Sequence, residues 1–447
     1  DKGALVVDEA PKSEASPPSQ EESTPQLSEK EPESHFLADH VKEIVGGAAL
    51  LGAGVALGSD TKHITNVVGG DVTPPPSDIF IYSSDHTLTA IAGGDGSVAD
   101  LLIARNITAG TIDAESQGSA SSASIHGLIF GSAKNVHAQA IGDASFSSIS
   151  LDTSDRFSVT SGITSEASGN GASSSISINH FSLDNANVEV QSTGNSSEAS
   201  VHLSNAEGSI DKISMLAEGE HSRSVLNIDT SSLDVNNVSV EANHQSHISI
   251  DIMSPITISG NLYMDANHSS DIQLTANING SSLDHIHIEA GDYGYANVDL
   301  TGDITLNQID IHTSSEAIAH LSLGQVTLQD NIELYAYAAT LPTDLTGDHS
   351  TTSLSVQSLV GSFDHILLSA ENGGESNFNF VTLNAQIQDV HLYASGDGTF
   401  SGISQIDFSG DIDGSSIGNL TLDAYGGGAI NSNLSGHLTL NGNLTLH

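Results

Sequence analysis

One short pattern, apolar-any-apolar-any-small, recurs from Asp78 to the end of this chain. It reads Ile79-Phe80-Ile81-Tyr82-Ser83 at the start, Val238-Ser239-Val240-Glu241-Ala242 in the middle, and Leu444-Thr445-Leu446-His447 at the last copy. The first apolar residues stand at 79, 112, 136, 157, 188, 213, 238, 262, 286, 309, 332, 366, 390, 420 and 444. Nine of the fourteen intervals are 23 to 25 residues, and the others are 21, 30, 31, 33 and 34. A near-constant period in this range marks a stacked repeat array, in which each unit completes its core on its neighbours. It weighs against a globular catalytic domain.

Between anchors the alternation returns twice. After Ala290 come Ala296-Asn297-Val298-Asp299-Leu300 and Ile304-Thr305-Leu306, then the next anchor, Ile309. Period-two runs bounded by Gly, Asn, Asp and Ser read as short strands joined at corners. Three strands per period of about 24 residues predict an all-β, three-sided parallel β-solenoid of about 15 coils, right-handed by its coil length, about 70 Å long at the usual strand spacing. The fifth motif position is Ala, Ser or Thr in every complete copy, Ser83 and Ser161 included. A tight corner of the inner wall requires a small side chain. The long interval from 332 to 366, with Leu341-Pro342-Thr343-Asp344-Leu345, predicts a loop extruded from a corner.

The solenoid is expected over 78–447. Residues 1–34, rich in Pro, Glu and Ser, read as a disordered acidic tail. Residues 35–77 hold Phe36, Leu37, Val41, Ile44 and Val45 at helical spacing, then a short Gly/Ala-rich apolar helix with Gly54 and Gly58, then the Pro74-Pro75-Pro76 spacer. The apolar run from Ile44 to Gly58 is short for a bilayer, which needs about 20 residues. It reads as a docking segment over the open end of a solenoid or as a capping helix, and less readily as a membrane anchor.

The formal net charge is −46, with ten Lys and Arg against 56 Asp and Glu. No base follows Arg223, while 26 acids do. This excludes nucleic acid as a natural partner, because phosphate binding runs on Lys and Arg, and an anionic membrane surface repels it. Without cysteine, and with abundant Ser, Asn, Asp, Gly and Thr, the composition suggests a secreted or cell-surface protein. The first residue, Asp1, suggests a processed or trimmed form. Asn-x-Ser/Thr triplets, among them Asn237, Asn419 and Asn443, are glycan acceptors in such a compartment, although chance alone gives many in so Asn- and Ser-rich a chain.

Two constellations could hold a cation. Glu241, Asp265 and Glu289 recur 24 residues apart, just before the small corner residue, and should stack about 4.8 Å apart. Such a column raises its own pKa values or recruits a cation, for which calcium suits an all-oxygen site, or it is simply a solvated acidic face. His285-Ile286-His287 puts two imidazoles on one strand face, as a metal site wants. With 21 histidines in the chain, chance also supplies such a pair. Enzymatic readings find less. A lyase on acidic sugars wants Arg or Lys, and only Arg105, Lys134, Arg156, Lys212 and Arg223 are offered. Asp407, Asp411 and Asp413 form a cluster of the kind that glycoside hydrolysis uses, but in a Gly/Ser stretch that looks like a corner. No enzymatic activity is expected.

By its repeat pattern and composition, the stretch 78–447 resembles the β-strand-repeat surface proteins of bacteria, such as adhesins, S-layer proteins and matrix filaments. The resemblance implies an extracellular structural protein of a surface layer or biofilm matrix, with an adhesin stalk as the alternative and cell-surface glycans as further partners. The end of a solenoid exposes unpaired strand groups. Leu444 and Leu446 at one end and Ile79 and Ile81 at the other are therefore expected to join copies head to tail, with the N-terminal helix lapping the junction.

Overall fold

The computed structural model describes residues 63–65, 87–230, 232–338, 349–396 and 404–447, without the side chains of 63–65, 104–106 and 154–156. The expectations for the tail, for Phe36, Leu37, Val41, Ile44, Val45, Gly54 and Gly58, for Ile79 and Ile81, and for the stretch 341–345 lie outside the described residues. The rest forms an all-β parallel solenoid of about 14 turns with a period of about 24 residues. Every strand pairing is parallel, each strand lying on its counterpart one coil away, as in Leu262↔Val238 and Leu262↔Ile286. The short strand His63–Thr65 pairs in the same sense with 87–89.

One coil can be followed from Ala242. A tight turn leads to the strand His247–Ile252, a bend to Thr257–Ile258, and a second bend to Asn261–Ala266, which carries the anchor motif. In most coils the two bends do not interrupt the strand. Val98–Ser116 and Ile318–Tyr337 each run through all three faces. The bends show instead as register irregularities, between Leu300 and Asp303 and between Leu306 and Gln308. The chain alternates inward and outward throughout, so β-branched and other aliphatic side chains fill a single continuous core. Phe378, Phe380 and Phe408 meet edge-on and tilted within it, with centroids 5.2 to 5.7 Å apart.

The register corrects two anchors. Leu88 stands in the column below Ile112, nine residues beyond the anchor expected at position 79. Val136 pairs with Ile163, whereas Phe157 belongs to another face and pairs with Gly131 and Phe181. Ser161 is accordingly exposed, and the buried corner residue of that coil is Ala167. The reason is visible at the middle inward position, which holds Ala90 in one coil and Ser165 in the other. A small or polar residue there weakens the alternation that the neighbouring Phe157-Ser158-Val159 shows more strongly. Ser165 is tolerated inside because its hydroxyl meets that of Ser174 at 2.9 Å.

With those two anchors moved, the intervals of 33, 21 and 31 disappear. The two longest that remain, 332 to 366 and 390 to 420, contain the undescribed stretches 339–348 and 397–403 just after the corner residue. Pairing resumes in register beyond each, as in Ile318↔Thr351 and Glu375↔Gln405.

Candidate functional site

The outward side chains of the anchor face stack in three columns. The first holds Asn237, Asn261, His285, Gln308, Asn331 and His365, the residues just before the anchor. Asparagine suits this column because its side-chain oxygen caps the next coil. Asn237 Oδ1 accepts from the backbone N–H of Asn261 at 3.0 Å, and Asn419 Oδ1 from that of Asn443 at 3.1 Å. Two of the glycan-acceptor triplets therefore use their asparagine within the ladder.

The third column carries the predicted carboxylates. Asp265 pairs with Glu241 on one side and Glu289 on the other, so the three stack as the spacing requires. Burial, with the charges of Glu289 and Glu241, pushes the Asp265 carboxyl up to about 6. Asn267 and Asn243 donate to Asp265 and Glu241 from the adjoining turns.

The middle column is where chemistry gathers. Tyr263, His287, Asp310 and Glu333 follow one another on successive coils, flanked by His285 in the first column and by Glu289, His312 and Tyr335 in the third. Tyr263 lies flat on the His287 ring, centroids 5.1 Å apart and planes within 5°. His287 Nδ1 faces Asp310 Oδ2 at 3.2 Å, and its Nε2 lies 3.9 Å from Glu289 Oε2. One coil on, His365 Nε2 meets Glu333 Oε1 at 2.9 Å, while the Tyr335 hydroxyl donates to Glu333 Oε2 at 3.1 Å.

The shared environment tunes these groups in opposite directions. Burial raises the Asp310 carboxyl, but the imidazoles of His287 and His312 outweigh it and hold it well below the usual carboxylate range. The contact with Asp310 raises His287. Burial lowers His285, and burial together with the Glu333 charge pushes the Tyr335 hydroxyl up to about 12. Sequence reasoning singled out the two histidines and put Tyr263, Asp310 and Glu333 at the same motif position in neighbouring coils, but it did not identify Asp310 as a partner of His287 or foresee the contacts of His312, Tyr335 and His365. The available signal was complementarity between successive coils, His287 and Asp310 standing one coil apart in the same column, rather than repetition of one residue type.

Elsewhere the surface is less organised for chemistry. Asp411 Oδ1 accepts from the backbone N–H of Asp413, and Asp413 Oδ1 from that of His437, so these two acids cap a corner. Asp407 is held by Gln405 Nε2 at 3.0 Å on its own strand. A shallow groove of about 390 Å³ crosses several coils between Asp299 and Ser409, with Ser322, Ser355 and Asn379 along it. Asp299 is the acid among the described residues lining this groove.

At the C-terminal edge, Leu444–Leu446 pairs on one side only, with Leu420–Leu422. Leu444 and Leu446 are 54% and 65% exposed, although their column-mates Leu262 and Met264 are wholly buried. Among the described residues no helix is long and apolar enough to cross a membrane. Comparison with protein families, curated proteins and solved structures finds no match for this chain.

Proposed function

We propose that this chain is an extracellular structural protein whose solenoids stack head to tail into a filament or surface layer. The observation that carries the reading is the stack itself, in which each described coil lies in parallel register on the next over one continuous apolar core and so presents an apolar, hydrogen-bonding edge. Any coil with the same alternation is complementary to that edge, whether it comes from more of the same chain or from a second copy. Parallel pairing at such an edge adds a full set of backbone hydrogen bonds and extends the core by one layer. A head-to-tail contact does not close on itself, so it propagates. Divalent cations at the Glu241, Asp265 and Glu289 column would reduce the repulsion between copies that carry −46 each.

Negative-stain electron microscopy of the purified chain, with calcium and then with chelator, tests this. Filaments or sheets are expected, and Leu444→Asp with Leu446→Asp should abolish them while leaving single solenoids folded. Filaments indifferent to chelation would retain assembly and remove calcium from it. Isolated rods under both conditions would replace assembly with the adhesin-stalk reading, which the unbroken stack of coils also suits.

A further inference from the structure

Three groups on adjoining columns converge from two coils. His285 and His287 project from the strand Ser281–Ala290 on the same face, two residues apart, with ring centroids 5.7 Å apart. Asp310, on Tyr295–Ser314, lies directly over His287. One donor atom from each of the three falls within 4.8 Å of the others. Among the described residues this is the one group of three or more His, Cys, Asp or Glu side chains so arranged.

The hydrogen bonding at this place is incomplete. His285 Nε2 is shielded from solvent and has no hydrogen-bond partner. Asp310 Oδ1, equally shielded, meets His312 Nε2 at 2.5 Å. Buried polar atoms ordinarily find partners, and leaving one without costs about 1–3 kcal/mol. Lone pairs left facing one another across a few ångströms are what a bound cation would satisfy.

We propose that His285, His287 and Asp310 form a binding site for a divalent transition-metal ion of the zinc class. Two imidazole nitrogens and one carboxylate oxygen make a donor set that suits zinc, whereas calcium takes six to eight oxygens. Tetrahedral zinc at about 2.0–2.1 Å from each ligand holds its donors about 3.3 Å apart, which small side-chain rotations reach from the present spacing. The surroundings orient the ligands. Tyr263 lies flat on the His287 ring. Glu289 faces His287 Nε2 while Nδ1 faces Asp310, placing a carboxylate behind the ligating imidazole, as outer-shell partners of metal-bound histidines usually stand. His312 lies against Asp310 Oδ1 but outside the group of three, so it would orient the carboxylate while water completes the coordination. Such a site ties two successive coils together from outside the core.

The test is isothermal titration of the chelator-stripped full chain with Zn2+ in the presence of excess Ca2+, alongside the visible spectrum of the Co2+ form. One tight equivalent is expected, with the absorption of four-coordinate cobalt. In the double variant His285→Gln, Asp310→Asn the affinity should fall by more than about 100-fold, beyond the loss that orienting partners typically cause. His391→Gln, at a histidine paired with Asp423 far along the same face, should leave it unchanged. Weak uptake of several equivalents, equal affinity in the double variant, displacement by calcium, or a six-coordinate cobalt spectrum would each overturn the site. Circular dichroism of the variants separates loss of ligands from loss of fold, and the wild-type stoichiometry and spectrum decide the question if a variant does not fold.

Discussion

The tight turn after the small corner residue is built in two ways along the same solenoid. As far as Ser222 it has five residues, with glycine second and a single left-handed residue fourth, such as Ala120, Ala144, Ser196 or His221. After Ala242 it has four residues with two left-handed residues in succession, as in His244-Gln245, His268-Ser269, Asp292-Tyr293 and Ser315-Glu316. The five-residue form depends on a column of glycines. A Cβ on Gly118, Gly142, Gly169, Gly194 or Gly219 would come within 2.2 to 2.3 Å of a backbone oxygen in the coil below. The four-residue form needs no such column, and instead holds ordinary L-residues in the left-handed region at about 1–2 kcal/mol each. One turn places its demand on residue identity and the other on backbone conformation, and both keep the coils in register.

The two regions also balance charge differently. Among the described side chains Lys134, Lys212 and Arg223 are the bases, all in the first region, and Arg223 lies 4.0 Å from Glu198. Carboxylates meet histidines in both regions, as in His137 with Asp113 and His247 with Asp271, each at 3.0 Å, but beyond Arg223 the sequence offers them no Lys or Arg as well. Charge balance in the second region therefore follows pH in a way that an Arg or Lys partner would not.

The strongest way to break the comparison is to place an alanine in each turn. Gly142→Ala should cost about 3 kcal/mol or more in urea unfolding, because the clash is with Gly118 backbone rather than a movable side chain. Ser269→Ala, at an exposed position in the other turn, should stay within about 0.5 kcal/mol. Equal losses would mean that the glycine column is not what distinguishes them.

A middle-sized effect sharpens the electrostatic difference. The folded Asp265 carboxyl titrates at about 6 against an ordinary 3.8, so the folded chain holds the extra proton between those values. Its contribution to stability therefore falls as pH rises through that window, and the penalty stands in full above it. Asp265→Asn should raise stability at pH 7 by about 1 kcal/mol, a gain limited by solvent screening of the half-exposed carboxyl. The variant should also flatten the thermal-melting profile between pH 4 and 6. An unchanged profile would show that the column does not strain the fold.

The smallest effect concerns the left-handed pair. Gln245, at φ 61°, should become more stable on Gln245→Gly by about 0.5 kcal/mol, relief of the backbone offsetting the added freedom of the unfolded chain. A loss instead would show that the four-residue turn relies on its side chains.

The parallel three-sided coil, the period and most of the corner residues were legible in the chain, because inward positions must be apolar at every second residue and corners must be small. The stacking of Glu241, Asp265 and Glu289 was legible too, since one spacing of 24 places all three in one column. Leu88 and Ile163 were not, because Ala90 and Ser165 blur the alternation beside them, and strand pairing rather than local pattern decides the column. Nor was the continuity of the strands through two of the three corners, since a bend of this kind leaves its trace in hydrogen-bond register and not in composition.

The candidate site divides along the same line. His285 and His287 announce themselves two residues apart on one strand. Their convergence with Asp310, and the contacts of His312 with Asp310 and of His365 with Glu333, depend on which columns adjoin and how far each coil is offset from the next. The amino-acid order alone determined that this chain coils, where its inner wall turns, and that it carries no base after Arg223 to balance its acids. Tertiary structure decided which outward groups meet, because in a solenoid neighbours in space are a full coil apart in sequence. Insertions of a few residues at a corner change that separation without disturbing the core.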